Sequence, residues 1–396
     1  MKVLHICAIG TTAEILLLPQ INYLLSQGFE VGIACSWDED AQRLKEKGYT
    51  VHPVQIDRKI SPIPNFKSIS GLTKIIRKNN YDLVHVHTPI AAVLGRIAAK
   101  FAGVKAIVYT AHGFPFHDLS SPSQYFFYSN IERYAATITD LILTQNHEDI
   151  ATAKKIRLCR AEKLAYLGNG VDIERFKPSR LNPHSQLQLR QSLGIPDASL
   201  IIGTIGRLTR KKGSGYLIEA AGELISEFPN LHIVIIGSQL STDPEPFQIE
   251  LNRRIKTLGL EKHVTLTGER QDIPELLGLL DIFTLPTFSH EGLPRSIVEA
   301  MAMNLPIVAT DVRGCREAVV NQQNGFIVPS QNSSKLAEAL RTLLYNPELR
   351  QNYGKASRER VEAEYSEEFV FHRLINHYKQ LQIHPSQIYE NSLIGQ

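Results

Sequence analysis

Short apolar runs alternate along this chain with longer stretches in which apolar residues recur every third or fourth position. The runs at 3–8, 31–35, 83–87, 106–110 and 141–144 read as β-strands. The periodic stretches near 12–27, 38–47, 66–78, 89–101, 122–137 and 146–156 read as helices, so the first half predicts a doubly wound parallel sheet. A Pro- and Gln-rich stretch from Pro178 to Pro196 breaks the alternation and reads as a linker carrying a short helix. The pattern then restarts, with strands at 201–205, 233–236, 264–266, 282–285 and 307–309 and helices near 214–227, 247–258, 272–279, 294–303 and 333–345. Two similar α/β domains are expected, at 1–178 and 179–365. A helix at 366–383 is expected to return to the first domain, and 384–396, which lacks periodicity, to form a loose tail.

Composition narrows the class without naming it. A chain of 396 residues is long enough for two domains, and 43% apolar with 21% charged residues is ordinary for a soluble globular protein. Cys7, Cys35, Cys159 and Cys315 form no CxxC pair, which argues against a disulfide framework or a structural zinc site and for a reducing cytoplasm. The first residues are too short and interrupted for a signal peptide, and no apolar run approaches the roughly 18 residues that would span a bilayer. The net charge of +3 is concentrated in the first half. There, Arg58, Lys59, Lys67, Lys74, Arg77 and Lys78 fall in a 21-residue window that holds no acidic residue, interleaved with Ile60, Ile63, Phe66, Ile69, Leu72, Ile75 and Ile76. Segment 58–78 suits a helix that rests on an anionic membrane surface, or one whose apolar stripe packs on its own domain, which is the commoner outcome. With no recognised motif and no strongly basic balance, nucleic acid is not an expected partner.

The candidate chemistry is concentrated in His290-Glu291-Gly292-Leu293-Pro294-Arg295-Ser296-Ile297-Val298-Glu299. Gly292 lets a ligand approach the backbone, and Pro294 suits the first helical position. The amides of 292–296, Leu293 among them, would then point at an anion, with the helix dipole adding favourable potential. Glu299, one turn further in, can accept two hydrogen bonds from a vicinal diol such as a ribose, and Glu291 can reach sugar hydroxyls. A second cluster, Gly203-Thr204-Ile205-Gly206-Arg207-Leu208-Thr209-Arg210-Lys211-Lys212-Gly213, joins a strand to a helix. A glycine-bearing turn followed by cations suits a diphosphate, with Arg207 offering a planar fork and Lys212 a point charge; Arg210 and Lys211 read as surface. Two carboxylates also suit a retaining glycoside hydrolase, but the phosphate-directed groups would have no work there. His85 and His87 share one face of a strand, yet no third ligand with sensible spacing accompanies them, so core packing or acceptor contact is the expectation and no metal is expected.

The run from Glu291 to Gly325, with Ala309-Thr310-Asp311, Gly314, Glu317 and Asn324-Gly325, resembles the donor-binding signature of the family 4 retaining glycosyltransferases. The resemblance covers roughly residues 1–380. It implies a GT-B fold, two Rossmann-like doubly wound parallel-sheet domains with an interdomain cleft. Arg207 and Lys212-Gly213 fall on the family's Gly-Arg-Leu and Lys-Gly positions, and His112 matches the histidine that family members place against the transferred sugar. The turn Thr267-Gly268-Glu269-Arg270 is where the family's base lies against backbone amides, which brings in Gly268 and Arg270. Many members carry a double glycine in the first loop, where this chain has Ile9-Gly10-Thr11-Thr12-Ala13-Glu14, so only Gly10 is carried over. The combination with Val84-His85-Val86-His87-Thr88-Pro89, Gly95-Arg96 and Gly168-Asn169-Gly170-Val171-Asp172 looks most like the bacterial branch that assembles capsule, exopolysaccharide or lipid-linked oligosaccharide.

The resemblance therefore implies a metal-independent transfer with retention. Its catalytic residues would be His112, Arg207, Lys212 and Glu291, and its donor-binding residues Gly10, Gly206, Gly268, Arg270, Gly292, Leu293, Pro294 and Glu299. The departing diphosphate would be stabilised electrostatically, with no cofactor. The expected partners are a nucleotide-sugar donor, UDP on family frequency, and a glycan or lipid-linked acceptor at the inner face of the cell membrane, with peripheral contact through 58–78. The alternatives are a non-catalytic nucleotide-sugar sensor or scaffold, and a GT-B epimerase or phosphorylase.

Overall fold

The computed structural model describes residues 1–57, 62–118, 120–239, 247–289 and 291–383; Arg58, Lys59, Ile60, His290 and the tail 384–396 lie outside the described residues. The chain divides into two compact units, one formed by Met1–Gly168 together with the segment from Glu367 onward, the other by Asn169–Ser366.

In the first unit, the described residues form one parallel sheet from β1 (Lys2–Ile9), β2 (Glu30–Ser36), β3 (Thr50–Pro53), β4 (Leu83–His87), β5 (Ala106–Ala111), β6 (Leu141–Thr144) and β7 (Leu164–Tyr166). The order across the sheet is β3-β2-β1-β4-β5-β6-β7, which reverses direction between β1 and β4. Side chains alternate across the pleat, so each face has its own cover. Leu4, Ile6, Val84, Val86, Ile107 and Tyr109 pack with Leu72 and Ile76 of the helix Pro62–Asn79 and with Ala91, Leu94 and Ala98 of the helix Pro89–Ala102. Val3, Leu83, Val108, Leu141 and Leu143 pack instead against Val370, Phe371, Leu374 and Tyr378 of the helix Glu367–Ile383.

In the second unit, β8 (Leu200–Ile205), β9 (Leu231–Ile236), β10 (Val264–Gly268), β11 (Ile282–Leu285), β12 (Ile307–Thr310) and β13 (Gly325–Val328) pair in parallel in the order β10-β9-β8-β11-β12-β13. Its boundary falls after Gly168, earlier than the expected 178. The reason is that Val171 donates to the Tyr365 carbonyl at 2.8 Å and, with Phe176, is buried in the second unit's core.

Three further expectations are corrected. The stretch 9–14 is no loop after β1: Gly10–Thr12 is helical and continues through a π-helical turn, Ala13–Leu17, into Leu18–Ser26. Pro294, with ψ 114°, is the cap of the helix Arg295–Ala302 and not its first residue. The apolar stripe of Pro62–Asn79 is largely taken up by its own domain: Leu72 and Ile76 are buried and Ile69 and Ile75 pack against them, while Phe66 is exposed.

Candidate active site

In a doubly wound sheet, ligands bind beyond the carboxyl ends of the strands where the order reverses. In the second unit that point lies between β8 and β11, so the loops at issue are 206–213 and 286–294. Gly213, at φ +79°, joins the loop to the helix Ser214–Leu224; a Cβ there would run into the Pro286 carbonyl. That close approach locks the two loops together. The Lys211 carbonyl accepts from the Phe288 amide at 3.0 Å and from Thr287 Oγ1 at 2.9 Å. Lys212 Nζ is thereby brought 2.7 Å from Glu291 Oε1, which lies 3.3 Å from Thr287 Oγ1.

The Glu291 backbone is held from the other side, where its amide donates to the Arg313 carbonyl at 3.1 Å. Gly314, at φ +85°, gives the Glu291 and Gly292 carbonyls the room that a Cβ would occupy. Leu293 buries its side chain in the core, so only its backbone is left to the loop, and its carbonyl accepts from Asn169 Nδ2 at 3.0 Å. One turn into the helix, Arg295 Nε donates to Glu299 Oε1 at 3.0 Å. Burial raises the Glu299 carboxyl above its ordinary range, and the nearby charges of Arg295 and Arg175 offset part of that rise.

The remaining predicted residues of this unit lie on neighbouring loops. The Gly206 amide donates to the Ile236 carbonyl at 3.0 Å, and the Gly237 amide to the Gly268 carbonyl at 2.9 Å, which ties together the ends of β8, β9 and β10. Arg207 is exposed directly after Gly206, over which the stem of Lys212 lies. Arg210 is paired with Glu250. Arg270 is committed to Asp272, Nε to Oδ1 at 2.8 Å and Nη2 to Oδ2 at 2.5 Å. Beside that turn lies a pocket of about 520 Å³, lined by Arg175, Arg180, Leu181, Gln271, Asp272, Pro274 and Glu275.

In the first unit, Gly10 is committed to packing. Its amide donates to Asp38 Oδ2 at 2.8 Å, while Oδ1 caps the helix Glu39–Glu46, and a Cβ would meet that capping group. The close approach that Gly10 permits is therefore to Asp38 and Ala41. His112 follows β5 and belongs to a buried histidine cluster. His5 pairs with His85 across β1 and β4, and His87 lies two residues along on the same face. His87 Nδ1 lies 3.1 Å from His112 Nε2, and His87 Nε2 lies 3.0 Å from His5 Nδ1. His85 is held by Tyr378 Oη at 2.6 Å and Thr110 Oγ1 at 2.7 Å.

His5 corrects the expectation that no third nitrogen ligand accompanies His85 and His87, since ligand atoms of all three lie within 4.8 Å of one another. The geometry is that of a hydrogen-bonded cluster: the rings of His5 and His87 stack, and the facing nitrogens bond each other or hydroxyls. Burial pushes His112 down to about 4 and His5 to about 3, and pushes His85 and His87 well below the ordinary imidazole value.

Sequence reasoning missed His5, Asn169, Arg175, Thr287 and Thr88. Thr88 follows β4 at φ +64°, a costly conformation for a β-branched residue, and its buried Oγ1 has no partner among the described residues. Strain and an orphan hydroxyl at the first sheet's reversal point mark it as a candidate ligand contact. The nearest sequence signal was its place between a strand and Pro89.

The fold and these loops define a GT-B arrangement of two Rossmann-like units. Residues 185–360 match the family described as Glycosyl transferases group 1, and residues 5–146 match Glycosyl transferase 4-like. The chain is 31% identical over 345 residues to the EpsD protein of Bacillus subtilis, covering 86% of this chain and 87% of that one. It is 33% identical over 287 residues, 72% of this chain and 71% of the other, to the Escherichia coli UDP-Gal:alpha-D-GlcNAc-diphosphoundecaprenol alpha-1,3-galactosyltransferase. The crystal structure of Anabaena HepE in complex with UDP shares the fold with a TM-score of 0.81 at 23% identity, covering 96% of this chain and all of that one. The chain belongs to the family 4-type, group 1 glycosyltransferases. No helix among the described residues is long and apolar enough to cross a membrane.

Proposed function

We propose that this chain transfers a hexosyl or N-acetylhexosaminyl residue from a UDP-sugar, with retention and without a metal ion, to a lipid-linked glycan in cell-surface polysaccharide synthesis. The observation that carries the reading is the convergence at the second unit's reversal point of the Lys212–Glu291 pair, the loop bearing Arg207, the helix start at Arg295 and the largely buried Glu299. In this reading Glu299 accepts the ribose diol, and the base lies by the turn at 267–271 beside the pocket. The amides that open the helix, with Lys212 and Arg207, take the diphosphate. As the glycosidic bond breaks, negative charge grows on the leaving oxygen. The cations stabilise that charge without reorganising, and the diphosphate can take the acceptor's proton on the same face. His112 contacts the transferred sugar. The Escherichia coli relative supports the choice of UDP and of a diphosphoundecaprenol-linked acceptor. Contact with the inner face of the membrane is assigned to the exposed Lys67, Lys74, Arg77 and Lys78.

The test incubates the full chain with UDP-glucose, UDP-galactose and the two UDP-N-acetylhexosamines, with diphosphoundecaprenol-linked sugars as acceptors and excess EDTA. Transfer of an α-linked sugar is expected in the chelator. Activity that disappears with EDTA and returns with magnesium or manganese would refute the metal-free scheme, and a β-linked product would refute retention from an α-linked donor.

A further inference from the structure

Trp37 is the chain's only tryptophan, and it is 47% exposed, although a flat apolar ring of that size is ordinarily kept largely from water. Its place is set by the strand before it. β2 ends at Ser36 and pairs with β1, so Trp37 stands beyond the carboxyl end of the first sheet, one strand from the point where the order reverses. That end of a doubly wound sheet is where ligands bind.

The residues on either side of Trp37 are pinned. Ser36 Oγ accepts from the Ile56 amide at 2.9 Å, and Asp38 divides its carboxylate between the Gly10 and Ala41 amides, each at 2.8 Å. Lys45 Nζ lies over the ring, 5.5 Å from its centroid, and steadies it through a cation–π contact. The indole is therefore an oriented surface on a fixed backbone, and not the tip of a loose loop.

Two occupants suit an exposed indole, a bilayer interface and the C–H face of a sugar ring. Charge and placement both speak against the bilayer. The charges around Trp37 pair with one another, Glu14 with Arg43 and Lys47 and Asp40 with Arg43, which leaves no basic stripe to draw an anionic surface. The helix assigned to the membrane also covers the opposite face of the sheet. Ala41 and Leu44 of the helix Glu39–Glu46 pack with Cys7, Ile33 and Cys35, whereas Leu72 and Ile76 of Pro62–Asn79 pack with Leu4, Ile6 and Ala34. A pyranose fits the place better, because its ring C–H groups offer the indole an apolar face while its hydroxyls stay hydrated or meet a carboxylate such as the exposed Glu39.

We propose that Trp37 is the platform on which a sugar ring of the acceptor stacks. The inference rests on the transferase reading, in which the nucleotide occupies the second unit and the strand ends of the first are left to the acceptor. It adds a contact that selects for a sugar on the acceptor, whatever lipid carries it.

Because the chain holds one tryptophan, its fluorescence reports this residue alone when excited where tyrosine does not absorb. The full chain is titrated, without donor, with short-chain alkyl diphosphates carrying glucose, galactose, N-acetylglucosamine or N-acetylgalactosamine, and with the bare alkyl diphosphate. At least one sugar-bearing probe should shift the emission to the blue and shield it from acrylamide, and the bare one should do neither. Trp37→Ala should raise the KM for that probe as acceptor about tenfold and leave the KM for the UDP-sugar unchanged, while Trp37→Tyr, which keeps a flat ring, should recover most of the loss. Emission that no sugar-bearing probe moves, or that the bare diphosphate moves equally, overturns the proposal, and so does an unchanged acceptor KM in Trp37→Ala. A sugar-dependent shift in a chain that transfers nothing leaves the platform standing and fails the transferase reading alone.

Discussion

Lys212 pairs with a Glu291 carboxylate only 18% exposed, so in the proposed scheme a diphosphate has to compete with that carboxylate for Lys212. The useful part of that attraction is what grows as the bond breaks. Arg207→Ala and Lys212→Ala should each lower kcat about 10²–10³-fold, while thermal melting stays close to wild type. Full turnover at saturating donor in both variants would remove these cations from the mechanism. Glu299→Gln should weaken UDP binding by about 1.5–3 kcal/mol in calorimetry. Only ionised Glu299 can accept from both hydroxyls of a diol with its two oxygens, and its carboxyl is raised by burial, so UDP affinity should fall as the pH drops through that raised value. Unchanged affinity in the variant would show that the diol contact is elsewhere. Glu291, Glu299, Arg207 and Lys212 were legible because each pair lies within one loop-helix segment. Asn169, Thr287 and His5 were not, because their partners Leu293, Lys211 and His87 are 124, 76 and 82 residues away.

At the scale of elements, the central strands and the edge strand β10 were legible as apolar runs, and the other three edges were not. Strand β3 ends in a proline, β7 has three residues, and β13 begins at a glycine; a short edge strand carries too little pattern to announce itself. The helix Pro347–Glu364 escaped for the opposite reason. Its buried side is Tyr353, Gly354, Ser357 and Val361, with Gly354 packed against the Asn304 carbonyl, so contact comes from small residues and leaves no apolar stripe. Strands β1 and β4 carry a stability signature. Their histidines have folded values depressed below the unfolded one, so below about 6.5 the unfolded chain binds more protons. Their contribution is complete above 6.5 and is lost as pH falls, at about 1.4 kcal/mol per pH unit for each histidine. His52, His232 and His377 act in the same direction. Urea midpoints should therefore drop steeply from pH 7 to 5, and less steeply in His5→Gln; a midpoint flat over that range would contradict the neutral cluster. On the helix Pro62–Asn79, replacing Lys67, Lys74, Arg77 and Lys78 by glutamine should reduce sedimentation with anionic vesicles at low salt, at roughly 1 kcal/mol per charge. If the wild type does not bind such vesicles, the membrane contact is wrong.

At the scale of the whole molecule, the two α/β patterns were legible, but the place where one ends was not. Asn169 to Phe176 has no periodicity, and only burial shows that Val171 and Phe176 belong to the second core. The second unit is thus one continuous segment, whereas the first is assembled from two. Fragment 169–366 should fold alone and bind UDP, as calorimetry would show; a fragment that folds but ignores UDP would mean that the nucleotide site is not contained in it. Deleting 367–383 should leave the first unit unfolded. It removes Val370, Phe371, Leu374, Ile375 and Tyr378, each buried side chain contributing about 1.5–3 kcal/mol, a sum comparable to the stability of a whole domain.

That two-piece construction gives the chain a clock. A ribosome finishes residue 168 and then makes all of 169–366 before the helix Glu367–Ile383 exists, roughly 10–40 s at ordinary elongation rates. Through that interval the sheet that began first stands with Val3, Leu83, Val108 and Leu143 uncovered and His85 without Tyr378. The unit made second can be complete while the unit started first is still waiting, so chaperone capture during synthesis should fall on residues 1–168 and end when Tyr378 emerges.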